Sequence, residues 1–419
     1  MSPRHAALAA AALLASAGLA GCSSDTPSRA GSGSTTVPTA SSGSGGSGSE
    51  VGGGGGGGGL QVDVVAEGLA NPWDIAFLPD GGAVVTQRSG ELSYLPSLEA
   101  GTEPVAISAP LDDVYAQGEG GLTGLALLPE PAQGWDQPKL VACLAHAEDG
   151  EPVDVRLVEL TVDVENSRAT RDRDLLTGLP VADGGRHSGC RPTMGEDGLL
   201  YVGTGDTADP AAPQDRTNLG GKVLRLDPAT GEPAEGNPFA DAADEAERYV
   251  YSYGHRNVQG VAQRPGTEEI WTAEHGPSFD DEVNRIEAGA NFGWDPAQGG
   301  SVDSYDESVP MTDTERYPDA VAAAWSSGET TEAICGAAFL EGEQWGEREG
   351  LLAITALRGA KLLLLSIGDD GSVDEVEIPQ DLVDDFGRLR AARSGPDGAL
   401  YVTTSNGEDD KVLRITPTA

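Results

Sequence analysis

Positive charge is scarce in this 419-residue chain: 26 lysines and arginines face 68 aspartates and glutamates, for a formal net charge of −42. A field of that sign repels nucleic acid and anionic membrane surfaces, so neither is expected as a partner. It keeps an exported protein soluble and suits a salty medium. Aromatics make up only 5% of the residues, so a core must be built mostly from Val, Leu, Ile and Ala. Histidine and cysteine are rare too, at five and four copies. No helical periodicity is sustained, and no apolar run is long enough to cross a bilayer permanently.

What is present begins with an export signature. Arg4 and His5 precede "AALAAAALLASAGLA", which is too short and alanine-rich for a lasting span, and the stretch closes on "LAGC" at Cys22. It resembles a bacterial lipobox, which implies a lipidated Cys22 and a place on the outer face of the membrane. An ordinary secretory signal is the alternative. Residues 23–59 are rich in Ser, Gly and Thr and end in "VGGGGGGGGL", the composition of a flexible tether. A single folded domain is expected over 60–419.

That domain reads as all-β. A phrase recurs in it: a few apolar positions, a Pro-Asp-Gly-like turn, then a strand. It appears as "IAFLPDGGAVVTQ", "PTMGEDGLLYVGT", "VAQRPGTEEIWTAE" and "ARSGPDGALYVTT". Asp and Gly supply the positive φ that tight hairpins need. Irregular four-strand units over about 360 residues suit a β-propeller better than a sandwich, although spacing alone does not fix the blade number. The strand-poor stretches 228–247 and 298–319 are expected as excursions between blades.

Chemistry concentrates in four segments: "YAQGEGGLTGLAL", "GRHSGCRPTMGEDGLLYVGTGD", "YSYGHRNVQGVA" with "WTAEHGPSFDDEVNRIEAGANFGW", and "ALRGAKL" with "FGRLRAARSGPDGALYV". Together and in this order they resemble the soluble PQQ-dependent sugar dehydrogenases, the glucose/sorbosone dehydrogenase family, from about Leu69 to Pro417. The resemblance implies a six-bladed β-propeller of four-stranded antiparallel blades that oxidises an aldose at C1 by hydride transfer to PQQ, with calcium as a second cofactor. Electrons would pass to a respiratory or soluble acceptor.

Residue by residue, the resemblance makes His187 the catalytic base and Asp206 the carboxylate that orients it. A histidine abstracts a hydroxyl proton near neutral pH, and a carboxylate on its other nitrogen fixes the tautomer. Arg256 and Asn257 match residues that contact the quinone. Arg388 and Arg390, two apart on a presumed strand, share a face and suit an anionic ligand. The backbone carbonyls of Gly276 and Pro277 match the calcium ligands. Asp280 and Asp281, with Glu282, form either a second calcium site or a solvated acidic loop. Trp325 matches an aromatic at the pocket mouth, with core packing as the other reading.

Glu119 stands where some relatives carry Gln; a carboxylate there needs a proton or an arginine partner beside PQQ. Arg358 stands where relatives carry Lys. Of the cysteines at 143, 190 and 335, one is left over, and Cys190–Cys335 is the expected disulfide because both flank glycine in segments assigned to one pocket. Two other functions compete. A calcium-dependent propeller lactonase or other hydrolase would need side-chain carboxylates around a central metal rather than an arginine cage. A non-catalytic cell-surface propeller would use the arginines for an anionic ligand.

Overall fold

The computed structural model describes residues 58–418 apart from 131–133, 135 and 302–303. The expected signal peptide, Cys22 and the tether up to residue 57 lie outside the described residues.

The described residues form six four-stranded antiparallel sheets. The chain enters with β1 (Leu60–Leu69) and then builds blade one from β2 (Pro72–Phe77), β3 (Ala83–Gln87), β4 (Glu91–Leu95) and β5 (Val105–Ile107). Blade two holds β6 (Leu122–Leu127), β7 (Lys139–Glu148), β8 (Glu151–Asp163) and β9 (Arg168–Leu179). Blade three holds β10 (Arg191–Met194), β11 (Leu200–Gly203), β12 (Lys222–Leu226) and β13 (Val250–Tyr253), with the short helix α1 (Glu245–Tyr249) before β13. Blade four holds β14 (Val258–Gln263), β15 (Ile270–Glu274), β16 (Glu282–Ile286) and β17 (Trp325–Ser326). Blade five holds β18 (Ile334–Phe339), β19 (Leu352–Ala356), β20 (Lys361–Ile367) and β21 (Val373–Glu377). Blade six combines β22 (Leu389–Ser394), β23 (Leu400–Thr404) and β24 (Asp410–Pro417) with β1 as its outermost strand. The register there runs from Leu60 opposite Pro417 to Leu69 opposite Asp410, so the two ends of the fold close the ring together.

The repeated phrase proves to be the hairpin between the innermost and second strands of a blade. In blades one, three and six its turn is closed by Leu78 N–H to Gly82 O, Gly195 N–H to Leu199 O and Gly395 N–H to Ala399 O, each 2.8 Å. A tyrosine hydroxyl then donates to each turn aspartate: Tyr94 to Asp80 at 2.8 Å, Tyr201 to Asp197 at 3.0 Å and Tyr401 to Asp397 at 3.2 Å. Between blades, buried aliphatic faces pack against one another. Val141, Cys143 and Leu157 of blade two meet Val202 and Leu224 of blade three.

Two expectations are corrected here. Segments 228–247 and 298–319 lie within blades three and four, between third and fourth strands, because β13 and β17 rejoin the sheets those loops leave. The disulfide is Cys143–Cys190, with Cα atoms 6.1 Å apart, rather than Cys190–Cys335. Cys143 lies mid-strand in β7 on the face that packs against blade three, and Cys190 ends the loop entering β10 directly opposite. Cys335, on innermost strand β18, is the free cysteine among the described residues.

Candidate active site

Antiparallel blades place the starts of innermost strands and the ends of second strands at the same end of the ring. Glu119, His187, Arg256 and Asn257 precede innermost strands, whereas Asp206, Gly276 and Arg358 follow second strands. One mouth therefore collects them all.

His187 adopts φ +49°, a left-handed backbone that a β-carbon disfavours. Its loop is pressed onto its neighbours through glycines. A Cβ on Gly205 would lie 1.9 Å from the His187 carbonyl, and one on Gly185, itself at φ +67°, would lie 1.8 Å from the Gln117 carbonyl. Only glycine lets "GEGG", "GGRH" and "GTGD" approach this closely. The result is a buried imidazole, 4% exposed, whose Nδ1 lies 2.7 Å from Asp206 Oδ1. Asp206 is wholly buried and also accepts from Ala208 N–H, from Trp294 Nε1 at 2.9 Å and from the Tyr305 hydroxyl at 2.6 Å. Burial alone would raise its pKa, but His187, Tyr305 and the amide donor outweigh it and hold the carboxyl below the ordinary range. On the far side of the ring, Arg186 Nε–H donates to His187 Nε2 at 3.3 Å. A donor there makes Nε2 the acceptor nitrogen, so the proton sits on Nδ1 facing Asp206. This is the tautomer of a general base.

The loop carrying Asp206 has its own support. Lys222 is completely buried and its ammonium donates to the carbonyls of Ala212 at 2.6 Å, Pro213 at 3.2 Å and Gly220 at 2.5 Å. Burial pulls its pKa down to about 7. Three carbonyls around Nζ oppose that loss, since a neutral amine has only two N–H groups to give them.

Beside His187 lies Arg256. Its backbone is tied to Asp206 by Asp206 N–H to Arg256 O at 2.8 Å, and Gly205 bridges Asn257. Its guanidinium donates through Nη1 to the carbonyls of His275 and Gly276, both at 3.0 Å, and through Nη2 to Glu307 at 2.6 Å. Arg256 Nε and His275 Nε2 are buried without partners among the described residues. Arg390, 7% exposed, lies 3.6 Å over the ring of Trp73 and bonds Ser405. Burial first, then the like charges of Arg191 and Arg388, push Arg390 below the usual guanidinium range. Such crowding of cations in an acidic protein favours an anion among them.

Glu119 has partners of its own: Asn257 Nδ2 at 2.9 Å and Gln259 Nε2 at 3.3 Å. Amides thus replace the proton or arginine expected for it. Beneath this level the channel is plugged. Asp74, wholly buried, takes Arg191 at 2.9 Å and both ends of Arg393 at 3.0 and 2.7 Å, while Arg393 also reaches the Leu125 and Pro192 carbonyls. Residues of blades one, two, three and six meet there.

The structure therefore brings together Glu119, His187, Asp206, Arg256, Asn257, Gly276 and Arg390. Arg358 and Arg388 stand exposed at the same mouth; Arg388 falls just before β22 rather than on it. Trp325 is corrected to the packing reading, since it lies on outermost strand β17 and packs into the core between blades four and five. The second calcium site at Asp280 and Asp281 is corrected too. Asp281 accepts from Gly276 N–H, Thr331 Oγ1, Glu332 N–H and Ala333 N–H, which occupies its lone pairs and welds two mouth loops. The Asp280 carboxylate accepts from the Ser326 hydroxyl, and Glu282 is buried and pushed up to about 8 by burial and by Glu274. Among the described residues no group of three His, Cys, Asp or Glu side chains is placed to bind a metal.

The residues missed from the sequence are Trp73, Arg186, Trp294, Tyr305 and Glu307. After β16 the chain climbs along β13, through Phe292 N–H to Tyr253 O at 2.8 Å and Trp294 N–H to Gly254 O at 2.9 Å, and then brings Tyr305 and Glu307 onto the site as its roof. The Arg-His pair and the Trp in "NFGW" were visible signals; Tyr305 and Glu307, in an acidic loop, had none. A Ser252–His255–Glu274 chain at 2.8 and 2.9 Å has the geometry of a hydrolytic triad, but all three residues are sealed from solvent. Glu274 instead takes the Arg256 backbone N–H and so fixes the arginine.

The Glucose / Sorbosone dehydrogenase family model matches residues 69–414. The chain belongs to the glucose/sorbosone dehydrogenase family. Within it, the chain is 31% identical over 371 residues to aldose sugar dehydrogenase YliI of Escherichia coli K12, covering 85% of this chain and 93% of that one. It superposes on the PQQ-bound aldose sugar dehydrogenase of Streptomyces coelicolor with a TM-score of 0.67 at 30% identity, over 85% of this chain and 98% of the other. The apo soluble aldose sugar dehydrogenase of E. coli gives a TM-score of 0.69 at 28% identity, over 86% and 100% of the two chains. This member of the glucose/sorbosone dehydrogenases is thus an oxidoreductase on a six-bladed propeller.

Proposed function

We propose that the chain oxidises an aldose at C1 to its lactone with PQQ and calcium as cofactors, and that it does so outside the cytoplasm, held to the membrane by a lipid on Cys22. One observation carries the reading: a buried imidazole, held by Asp206 on Nδ1, whose Nε2 accepts from the exposed Arg186 at the mouth that also holds the buried guanidinium groups of Arg256 and Arg390. The residues present fit both cofactors. Arg256, Arg388, Arg390, Arg358 and Asn257 would hold a planar tricarboxylate, and the partnerless Arg256 Nε is a donor in waiting. The carbonyls of Gly276 and Pro277 are the calcium ligands the resemblance implies, and the Arg256 guanidinium, which bonds the Gly276 carbonyl, would turn from it toward the anionic cofactor as calcium enters. Bound PQQ supplies the hydride acceptor, and calcium polarises it.

The protein's own part is proton handling and orientation. His187 Nε2 takes the C1 hydroxyl proton as hydride leaves C1, and the anomeric C–O bond becomes the lactone carbonyl. Asp206, below its ordinary range and so ionised, stabilises the imidazolium that forms. Tyr305 and Trp294 hold Asp206 still. Electrons then leave to a respiratory or soluble acceptor. Mixing the protein with PQQ, calcium and an aldose tests this: a bound-quinone absorbance should appear and bleach on adding sugar. His187→Ala should still bind PQQ and fail to bleach it; turnover retained in that variant removes His187 from the chemistry.

A further inference from the structure

Glu307 sits on the roof with one carboxylate oxygen, Oε1, 2.6 Å from Arg186 Nη2 and 2.6 Å from Arg256 Nη2. Arg186 in turn reaches His187 Nε2 and lies 5.3 Å over the Tyr305 ring. The roof thus places an anion of the protein's own beside the nitrogen that must meet the substrate hydroxyl. Burial would raise the Glu307 pKa, but Arg256 and Arg186 more than offset that and keep it ionised. An incoming hydroxyl displaces Arg186 from Nε2 at little cost, since Arg186 stays held by Glu307. A substrate carboxylate faces something different: Arg186, the arginine at Nε2, is already paired with Glu307, and a second carboxylate next to Glu307 is repelled.

We propose that Glu307 is a specificity residue that supplies this carboxylate itself and thereby reserves the site for uncharged aldoses over aldouronic acids. The inference rests on the sugar-oxidising reading and refines its substrate class. Removing the charge while keeping the shape, Glu307→Gln, leaves Arg186 seeking an anion beside His187, and a uronate provides one in bidentate form.

The experiment compares kcat/KM for glucose and glucuronate in the PQQ- and calcium-loaded enzyme. The glucuronate-to-glucose ratio should rise by about tenfold or more in Glu307→Gln; a ratio unchanged within a factor of about three overturns the proposal. A second arm needs no turnover. Calorimetric titration of glucuronate into cofactor-free protein should show binding strengthened in Glu307→Gln, with glucose binding unaltered. If glucose binding strengthens equally, Glu307 merely narrows the mouth and the proposal fails. Were wild type to oxidise no aldose, the dehydrogenase reading would fall while the titration still decided the role of Glu307.

Discussion

A left-handed histidine whose carbonyl is pressed against a glycine is an expensive way to place a side chain. His187 at φ +49° costs of order 1–3 kcal/mol, which persists only where surrounding contacts overdetermine it. Here the contacts are Asp206 on one ring nitrogen and Arg186 on the other. Asp206→Asn tests the pairing. An amide can present a donor to Nδ1 and stabilise the wrong tautomer, so kcat should fall roughly hundredfold or more with KM little changed. Steady-state kinetics in both parameters checks it, and an equal rise in KM would show that Asp206 shapes the pocket instead. Legibility at this scale followed backbone demand. His187, Asp206, Arg256 and Asn257 sit in glycine-marked motifs, whereas Tyr305 and Glu307 reach the site only through the path of a loop. Asp281 misled because an aspartate that welds loops and one that binds calcium look alike in one dimension.

Among elements, the hairpins were readable because each is local: its turn aspartate, glycine and tyrosine lie within about fifteen residues, and tertiary context adds little. The disulfide was not, because it depends on which strand faces which across a blade boundary. Cys143–Cys190 ties β7 to the segment three residues beyond His187, closing a loop over a sequence separation of 47. Such a closure is worth about 2–4 kcal/mol. Cys143→Ser should lower the melting temperature accordingly and leave intact mass insensitive to reductant. Cys335→Ser should keep the mass shift of the intact disulfide. A stable Cys143→Ser protein that still gains two mass units on reduction would reinstate Cys190–Cys335.

Across the whole molecule, spacing pointed to a propeller but not to its blade number. The strands of blade two, at 10, 13 and 12 residues for β7, β8 and β9, break the rhythm, and blade six borrows its outermost strand from the chain's start. The surface charge acts at this scale as well. With a net charge of −42, like-charge repulsion opposes compaction, and salt screens it over a Debye length of about 10 Å at 0.1 M. The melting temperature should therefore climb between about 0.05 and 1 M sodium chloride. A flat profile would mean that the acidic groups are neutralised locally by their ion pairs.

The Asp74 plug between Arg191 and Arg393 gives the propeller a dead end. A through-going tunnel could admit fuel on one side and discharge electrons on the other. With the axis stoppered by that cluster, a donor and an acceptor would share a single doorway and have to queue. On the proposed sugar-oxidising reading, the oxidised sugar would vacate before the next redox partner stepped in, and the two half-reactions would alternate in time because they could not be separated in space.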